Sequence, residues 1–399
     1  MDLYLQFGYG MMGHCEHLIQ SWDGGTVILS PRDQEQAQMN KFVPKLDKIN
    51  GQVIFDPQFY LPHADHGRLV AHSYWPQDYS TALFNRLEIR RMLSILKDEY
   101  NSPYQTPFFI LPGQRSTNIN DDWYNFYTII INEAKELNVH NSIYLTLCLS
   151  NEAMMSEDTI HSVLEYIDTW DIEGCYIVSE PPQNSYLIDN PNWLVNLMDL
   201  SAGIKLQGKK VVVGYSNHQM LCLGMSKADA IASGNWLNVR SFNITKFNNP
   251  EEGASRRSTW YYCPQALSEY QIPFLDIARR LGVLDDLKTS NIFESSYADI
   301  LFSGAQPTTV NYTDRESFRH YLQCLKIQAS ESVKDTYAQT RESMRIRLRT
   351  AERLTSHFSS NGVRGKDRDY SDYIDTSLSA IDVFDRLRGM VLDHNWNSI

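Results

Sequence analysis

Gln52-Val53-Ile54-Phe55-Asp56-Pro57-Gln58-Phe59-Tyr60 is a short apolar run with β-branched members that stops at an aspartate and a proline. Such a run reads as a buried strand. Pro57 ends its ladder, because proline has no backbone N–H to donate. Polar groups then crowd together: Gln58 and Tyr60, followed by His63, Asp65 and His66. If the strand is one stave of a closed parallel barrel, these residues sit at its C-terminal rim, where such barrels place their chemistry. The fold therefore turns on whether the chain supplies seven more staves.

The pattern supplies them. Apolar segments recur at residues 3–8, 26–30, 53–55, 107–111, 143–149, 174–178, 210–215 and 236–242. Helical periodicity fills the intervals at 34–46, 79–97, 121–137, 156–169 and 192–206. Strands alternating with helices of this size predict a parallel sheet built from βα units. Eight of them by about residue 243 predict an α/β fold of the (β/α)8 TIM-type barrel class rather than a doubly wound sheet. No glycine-rich dinucleotide loop or Walker loop follows an early strand. Beyond the eighth segment come a polar loop (248–258), a helical run at 272–281, one long helix at 316–355 and a final amphipathic helix at 372–390. The expected organisation is a barrel core over 1–247, a post-barrel insertion and helix over 248–310, and a C-terminal helical region over 311–399.

Bulk properties narrow the partners. A net charge of -12 disfavours general attraction to nucleic acid or anionic membranes, although a local basic patch is compatible with it. The six cysteines are scattered with no Cys-x-x-Cys pair, which predicts buried free thiols in a reducing compartment. No secretory segment and no apolar run of spanning length is read in the sequence. The expectation is a cytoplasmic protein without membrane contact. The 23 tyrosines and eight tryptophans suit either a large interface or base stacking.

At the predicted rim, Asp56 and Glu180 directly terminate strands and are the pair suited to divide acid and base roles. The bland alternative is that each caps a turn or pairs with Arg32 or Arg240. Tyr9, Gln58, Tyr60, Gln114, Asn217, Asn238 and Arg240 belong to the same expected rim and are the expected substrate-binding residues. His14 and His17, with His63, Asp65 and His66, are candidate ligands for a metal-dependent hydrolase. Their spacing is His-x-x-His rather than His-x-His after the first strand, so no metal or other cofactor is expected. On the long helix expected at 316–355, Arg341, Arg345, Arg347, Arg349 and Arg353 form a basic face. Arg256 and Arg257 precede Trp260-Tyr261-Tyr262, a mixture that suits single-stranded nucleic acid or a protein partner. A solvated, salt-bridged helix accounts for the basic face equally well.

From Val211-Val212-Val213-Gly214-Tyr215-Ser216 onward, the order of features resembles the tRNA-guanine transglycosylase superfamily. Residues 227–234 (Lys-Ala-Asp-Ala-Ile-Ala-Ser-Gly), Trp260-Tyr261-Tyr262-Cys263 and 318–325 (Phe-Arg-His-Tyr-Leu-Gln-Cys-Leu) continue it. The resemblance implies a (β/α)8 barrel with a late insertion, and a base-contacting aspartate on strand three, here Asp56. It also marks two departures. The family's nucleophilic aspartate at the end of strand eight falls best on Asn238, and an amide cannot form the same covalent sugar intermediate. Of the zinc-binding cysteines only Cys263 is present. The expectation is a transglycosylase-like barrel acting on or binding a nucleobase, nucleoside or nucleic acid. The alternatives are a catalytically silent barrel that serves as a subunit or homo-oligomer, and a metal-dependent hydrolase.

Overall fold

The computed structural model describes residues 1–76, 85–249 and 258–399. Nine parallel strands make the main sheet: β1 (Asp2–Gln6), β2 (Gly25–Leu29), β3 (Gly51–Phe55), β4 (Phe109–Ile110), β5 (Arg115–Ser116), β6 (Ile143–Leu149), β7 (Gly174–Ser179), β8 (Lys210–Val213) and β9 (Ala230–Ser233). Their order, β3-β2-β1-β9-β8-β7-β6-β4, wraps the first stave between the second and the last. The protein is a (β/α)8 TIM-type barrel, nearly closed. β4 and β5 are two pieces of one stave, both paired with β6. Between them lies Gly113, where a Cβ would meet Thr146 Cβ and its carbonyl oxygen at 2.7 Å; only glycine lets the broken stave lie this close to β6. The seam between β3 and β4 is crossed just beyond the strands, where Arg115 N donates to the Tyr60 carbonyl at 2.9 Å.

Seven of the eight expected staves stand where the apolar runs place them. The eighth does not. Residues 236–242 contain a 3-10 turn at Leu237–Val239, and the closing strand is Ala230–Ser233, in register with β1 (Leu3 opposite Ile231) and β8. Small residues let this strand fit between two fuller neighbours, so it carries little hydrophobic signal.

The helices between staves follow their caps. Asn120, Ser156 and Asn190 side chains accept from the first-turn amides of Asp121–Glu136, Glu157–Thr169 and Pro191–Leu206. Glu35 and Gln38 form a capping box at Gln36–Asp47. An additional helix, Met12–Ser21, joins β1 to β2. Residues 79–84 of the expected 79–97 helix lie outside the described residues; Arg86–Ile95 is helical and runs into a π turn at Leu96–Asn101. Arg256 and Arg257 also lie outside the described residues.

The expected helix over 316–355 is two helices, Asp314–Ser330 and Tyr337–Ser360. The polar stretch 331–336 breaks them, and Thr336 Oγ1 accepts from Gln339 N to start the second. Asp314–Ser330 packs against β1 and Met12–Ser21, where a barrel helix following β9 belongs. Gln323 Oε1 accepts from Trp22 Nε1 there at 2.6 Å. The chain between β9 and this helix holds the antiparallel hairpin β10 (Trp260–Cys263) and β11 (Ser268–Gln271) and the helix Ile272–Arg280. These residues form a second, smaller core with Tyr261, Tyr270, Leu275, Leu301 and Phe358. The main core runs without a break from the barrel into the C-terminal helices, through Leu322, Leu348 and Phe384. The last helix, Ile374–Asn395, lies on Pro191–Leu206, tied by Arg388 to Asp199. No helix among the described residues is long and apolar enough to cross a membrane.

Candidate functional site

Asp56 follows the last residue of β3 and is fully buried. Its Oδ1 accepts from Gln58 N at 2.9 Å, an Asx-type turn across Pro57 that places Gln58 at φ +50. Its Oδ2 accepts from the hydroxyls of Tyr60 at 2.6 Å and Tyr176 at 3.3 Å. Tyr176 lies within β7, on the far side of the barrel, and its hydroxyl also donates to Gln6 Oε1 at the end of β1. The Gln58 amide joins two further staves: Nε2 donates to Tyr215 Oη at 2.9 Å beyond β8, and the amide exchanges hydrogen bonds with Ser30 Oγ beyond β2. Side chains from five staves therefore meet around one carboxyl at the C-terminal end of the barrel. Burial pushes the Asp56 carboxyl up to about 6, and its two tyrosine donors, the Gln58 backbone N–H and Lys246 hold it from rising further.

Aromatic rings close this cluster from outside. Tyr60 meets Phe242 and Phe247 edge-on at 5.3 and 5.2 Å, and Tyr215 meets Phe242 at 5.3 Å. Over the Tyr215 ring, at 3.6 Å from its centroid, lies the Lys246 ammonium, which donates to the Asn238 carbonyl. Enclosure, reinforced by the charge of Arg32, pushes that ammonium well below the ordinary lysine range. Arg32 in turn donates to the Lys246 carbonyl and pairs with Asp33.

Of the expected site residues, Asp56, Gln58 and Tyr60 come together. Glu180 does not join them. It is buried on the other flank of the mouth, where Arg115 Nε and Nη2 both reach its Oε2 at 2.7 Å. Asn217 is a structural cap, with Oδ1 accepting from Gln219 N and Nδ2 donating to the Tyr186 carbonyl. Arg240 is buried and committed: its guanidinium stacks on Tyr321 at 3.5 Å, donates to the Gly234 carbonyl and pairs with Glu269 of β11. Glu269 also receives Arg368 and the Tyr186 hydroxyl, and these cationic neighbours hold its carboxyl at about 2 against the opposing effect of burial. Arg240 thus locks the insertion to the barrel and is not a free anion holder. The crevice beside it, reaching Ser179, Asn217 and Phe242, has a volume of about 30 Å³, room for roughly one or two waters.

Asn238 is exposed in the 3-10 turn, and the residue that ends the closing strand is Ser233, which is buried. Tyr9 exposes its ring on the rim, while its carbonyl accepts from Asn235 and Trp236. Gln114 N donates to Tyr127 Oη on the flank of the broken stave.

The histidines serve separate contacts. His14 packs edge-on to Phe318, His17 Nε2 bonds Tyr297 Oη, and Asp65 accepts from Asn249 N. Among the described residues no three His, Cys, Asp or Glu side chains gather as a metal site. Tyr261 and Tyr262, expected as stacking surface, are buried core residues. On the basic helix, Arg341, Arg345 and Arg349 pair with Asp385, Asp382 and Glu352. Sequence reasoning missed Tyr176 and Lys246. A tyrosine at the centre of an apolar strand was the only sign of the first, and an isolated lysine among aromatic residues the only sign of the second.

Comparison with known proteins finds no family model that matches the chain and no curated protein similar to it.

Proposed function

We propose that this chain binds a planar nucleobase-type heterocycle, free or within a nucleoside or nucleic acid, at the C-terminal end of its barrel. In this reading Asp56 shares a proton with the ring, in the manner of the transglycosylase superfamily whose order of features it resembles. One observation carries the reading: a buried carboxyl, raised to about 6, is centred on side chains from five staves. Near neutral pH such a group is present in both protonation states, so it can donate to a ring nitrogen or accept from a ring N–H. The neighbouring aromatic rings supply faces on which a base can stack. A ligand must displace part of the Phe242–Phe247 covering to reach Asp56.

Chemistry through a covalent sugar is a different matter. It needs a carboxylate at the end of the closing strand, where this chain has Ser233, with the Asn238 amide beyond it. The reading is therefore of base binding, with any glycosyl step relying on another nucleophile. The test is equilibrium binding of adenine, guanine, cytosine and uracil, and of a short RNA, to the wild type and to Asp56→Asn. The isosteric amide keeps an acceptor for Tyr60 and Tyr176 but loses the titratable proton. Binding of at least one base, weakened on the order of tenfold in Asp56→Asn, supports the reading. Equal binding by both proteins, or none by either, removes it.

A second reading, a catalytically silent barrel working as a subunit, is favoured by the packing of Tyr60, Tyr215, Phe242 and Phe247 that seals Asp56 from solvent. An exposed apolar row on the last helix, Val383, Leu387, Met390 and Val391, gives it a surface to use. It predicts self-association or a stable partner, with no response to any base.

A further inference from the structure

A cavity lies away from the barrel mouth, between Asp314–Ser330, Tyr337–Ser360 and the turn that joins β10 to β11. It measures about 470 Å³, within the roughly 300–1,000 Å³ typical of small-molecule sites. One helix presents Ser343, Ile346, Arg347 and Thr350 to it, three and four residues apart and so on one face. The other presents Ile327 and Gln328, and the 3-10 turn Asn291–Phe293 adds Ile292 and Phe293. Ile292 and Ile346 are 69% and 58% exposed, which is unusual for two isoleucines flanking one opening.

Charge is the second observation. Arg341, Arg345 and Arg349 on the same helix each have a carboxylate partner. Arg347 has no carboxylate in salt-bridge contact among the described residues: its Nη2 donates to the Gln328 carbonyl at 3.3 Å and its Nη1 is buried with no described partner. The acid nearest the opening, Glu331, is itself paired with Lys334. Burial lowers the Arg347 pKa, outweighing the opposing pull of Tyr262 and Glu331. A third lining residue, Gln265, leaves its Oε1 buried and unpaired while its Nε2 donates to Lys288 O. An enclosed guanidinium without its anion is costly, and a carboxylate is its natural complement.

We propose that this cavity binds a small carboxylate with an apolar body, its acid group on Arg347, its body between Ile292, Phe293, Ile327 and Ile346, and a single N–H or O–H of the ligand facing Gln265. The site is independent of Asp56. Indole-3-acetate has each of these parts; indole-3-ethanol has the same shape without the charge. Isothermal titration of the full chain should show saturable binding of the acid. Affinity should be on the order of tenfold or more weaker for the alcohol, and similarly weakened by Arg347→Met, which keeps the aliphatic stem. Arg349→Met should bind as the wild type does.

To separate lost binding from a disturbed helix pair, Ile346→Glu provides a second arm: the residue is exposed, so the fold tolerates it, yet it places a negative charge at the opening and should abolish binding of the acid. No binding of the acid overturns the proposal. So does equal affinity for acid and alcohol, or affinity unmoved by both variants. If instead the wild type self-associates and Ile346→Glu alone makes it monomeric without any binding of the acid, the cavity is an interface between copies and the proposal fails.

Discussion

The Tyr176 hydroxyl occupies the space that a side chain at Gly214 would need: a Cβ on residue 214 would lie 2.4 Å from that oxygen. The tyrosine reaches Asp56 and Gln6 across the barrel because the backbone after β8 leaves this opening. Gly214→Ala should push the hydroxyl away, costing about 1–3 kcal/mol of stability by overpacking. It should also raise the Asp56 pKa further, since a donor to the charged form is lost. Urea denaturation and carboxyl-carbon NMR titration measure the two effects; an unchanged Asp56 pKa would show that Tyr176 does not act on the carboxyl.

Asp56 also sets a pH dependence of folding. Its folded pKa, about 6, lies above the usual 3.8, so between these values the native state holds more protons than the unfolded chain. The contribution is fully present below pH 3.8 and is lost as pH rises through 6. The loss amounts to about 3 kcal/mol. Asp56→Asn cannot titrate and should flatten this part of the profile. Wild type and variant stabilities measured by urea unfolding from pH 4 to 8 should therefore diverge as pH rises, the wild type falling relative to the variant. Parallel profiles would count against a raised pKa.

Glu269 contributes with the opposite sign. Its carboxyl is held at about 2 by Arg368 and Arg240, so its contribution is present above the usual 4.5 and is lost as pH falls through 2. Glu269→Gln removes the shared partner of two arginines and should cost about 3–5 kcal/mol, because buried charge is then left without its counter-ion. The expected readout is early loss of protection in β10 and β11 by hydrogen exchange, before the barrel opens.

The last helix is held to the barrel at a polar point. Arg388 gives Asp199 two hydrogen bonds, at 2.5 and 3.2 Å, where Ile374–Asn395 lies on Pro191–Leu206. Arg388→Ala should destabilise the protein by about 1.5–3 kcal/mol and should increase hydrogen exchange first in the C-terminal helix.

How far the sequence was legible follows from side-chain size and from distance along the chain. Staves made of Val, Ile and Leu stand out as apolar runs. Ala230-Ile231-Ala232-Ser233 does not, and the richer run at 236–242 drew the eighth strand away from it. That shift moved the end of the last stave from Ser233 to Asn238. His14 and His17 of Met12–Ser21 stood as candidate metal ligands, with no metal expected, because their actual contacts depend on Phe318 and Tyr297, some 300 residues away. Asp56, Gln58 and Tyr60 were legible because a local turn gathers them. Arg240 and Asn217 were misread because their partners, Glu269 and the Tyr186 carbonyl, come from segments whose placement no local pattern reveals.

Under the proposed function, a bound base exchanges a proton with Asp56. Calorimetric titration of the wild type with free nucleobases at pH 6, in two buffers of different ionisation enthalpy, reads that exchange as a buffer-dependent heat. Fractional proton uptake or release is expected for at least one base and should be lost in Asp56→Asn. Buffer-independent heats, identical proton linkage in the variant, or no binding of any base would contradict it.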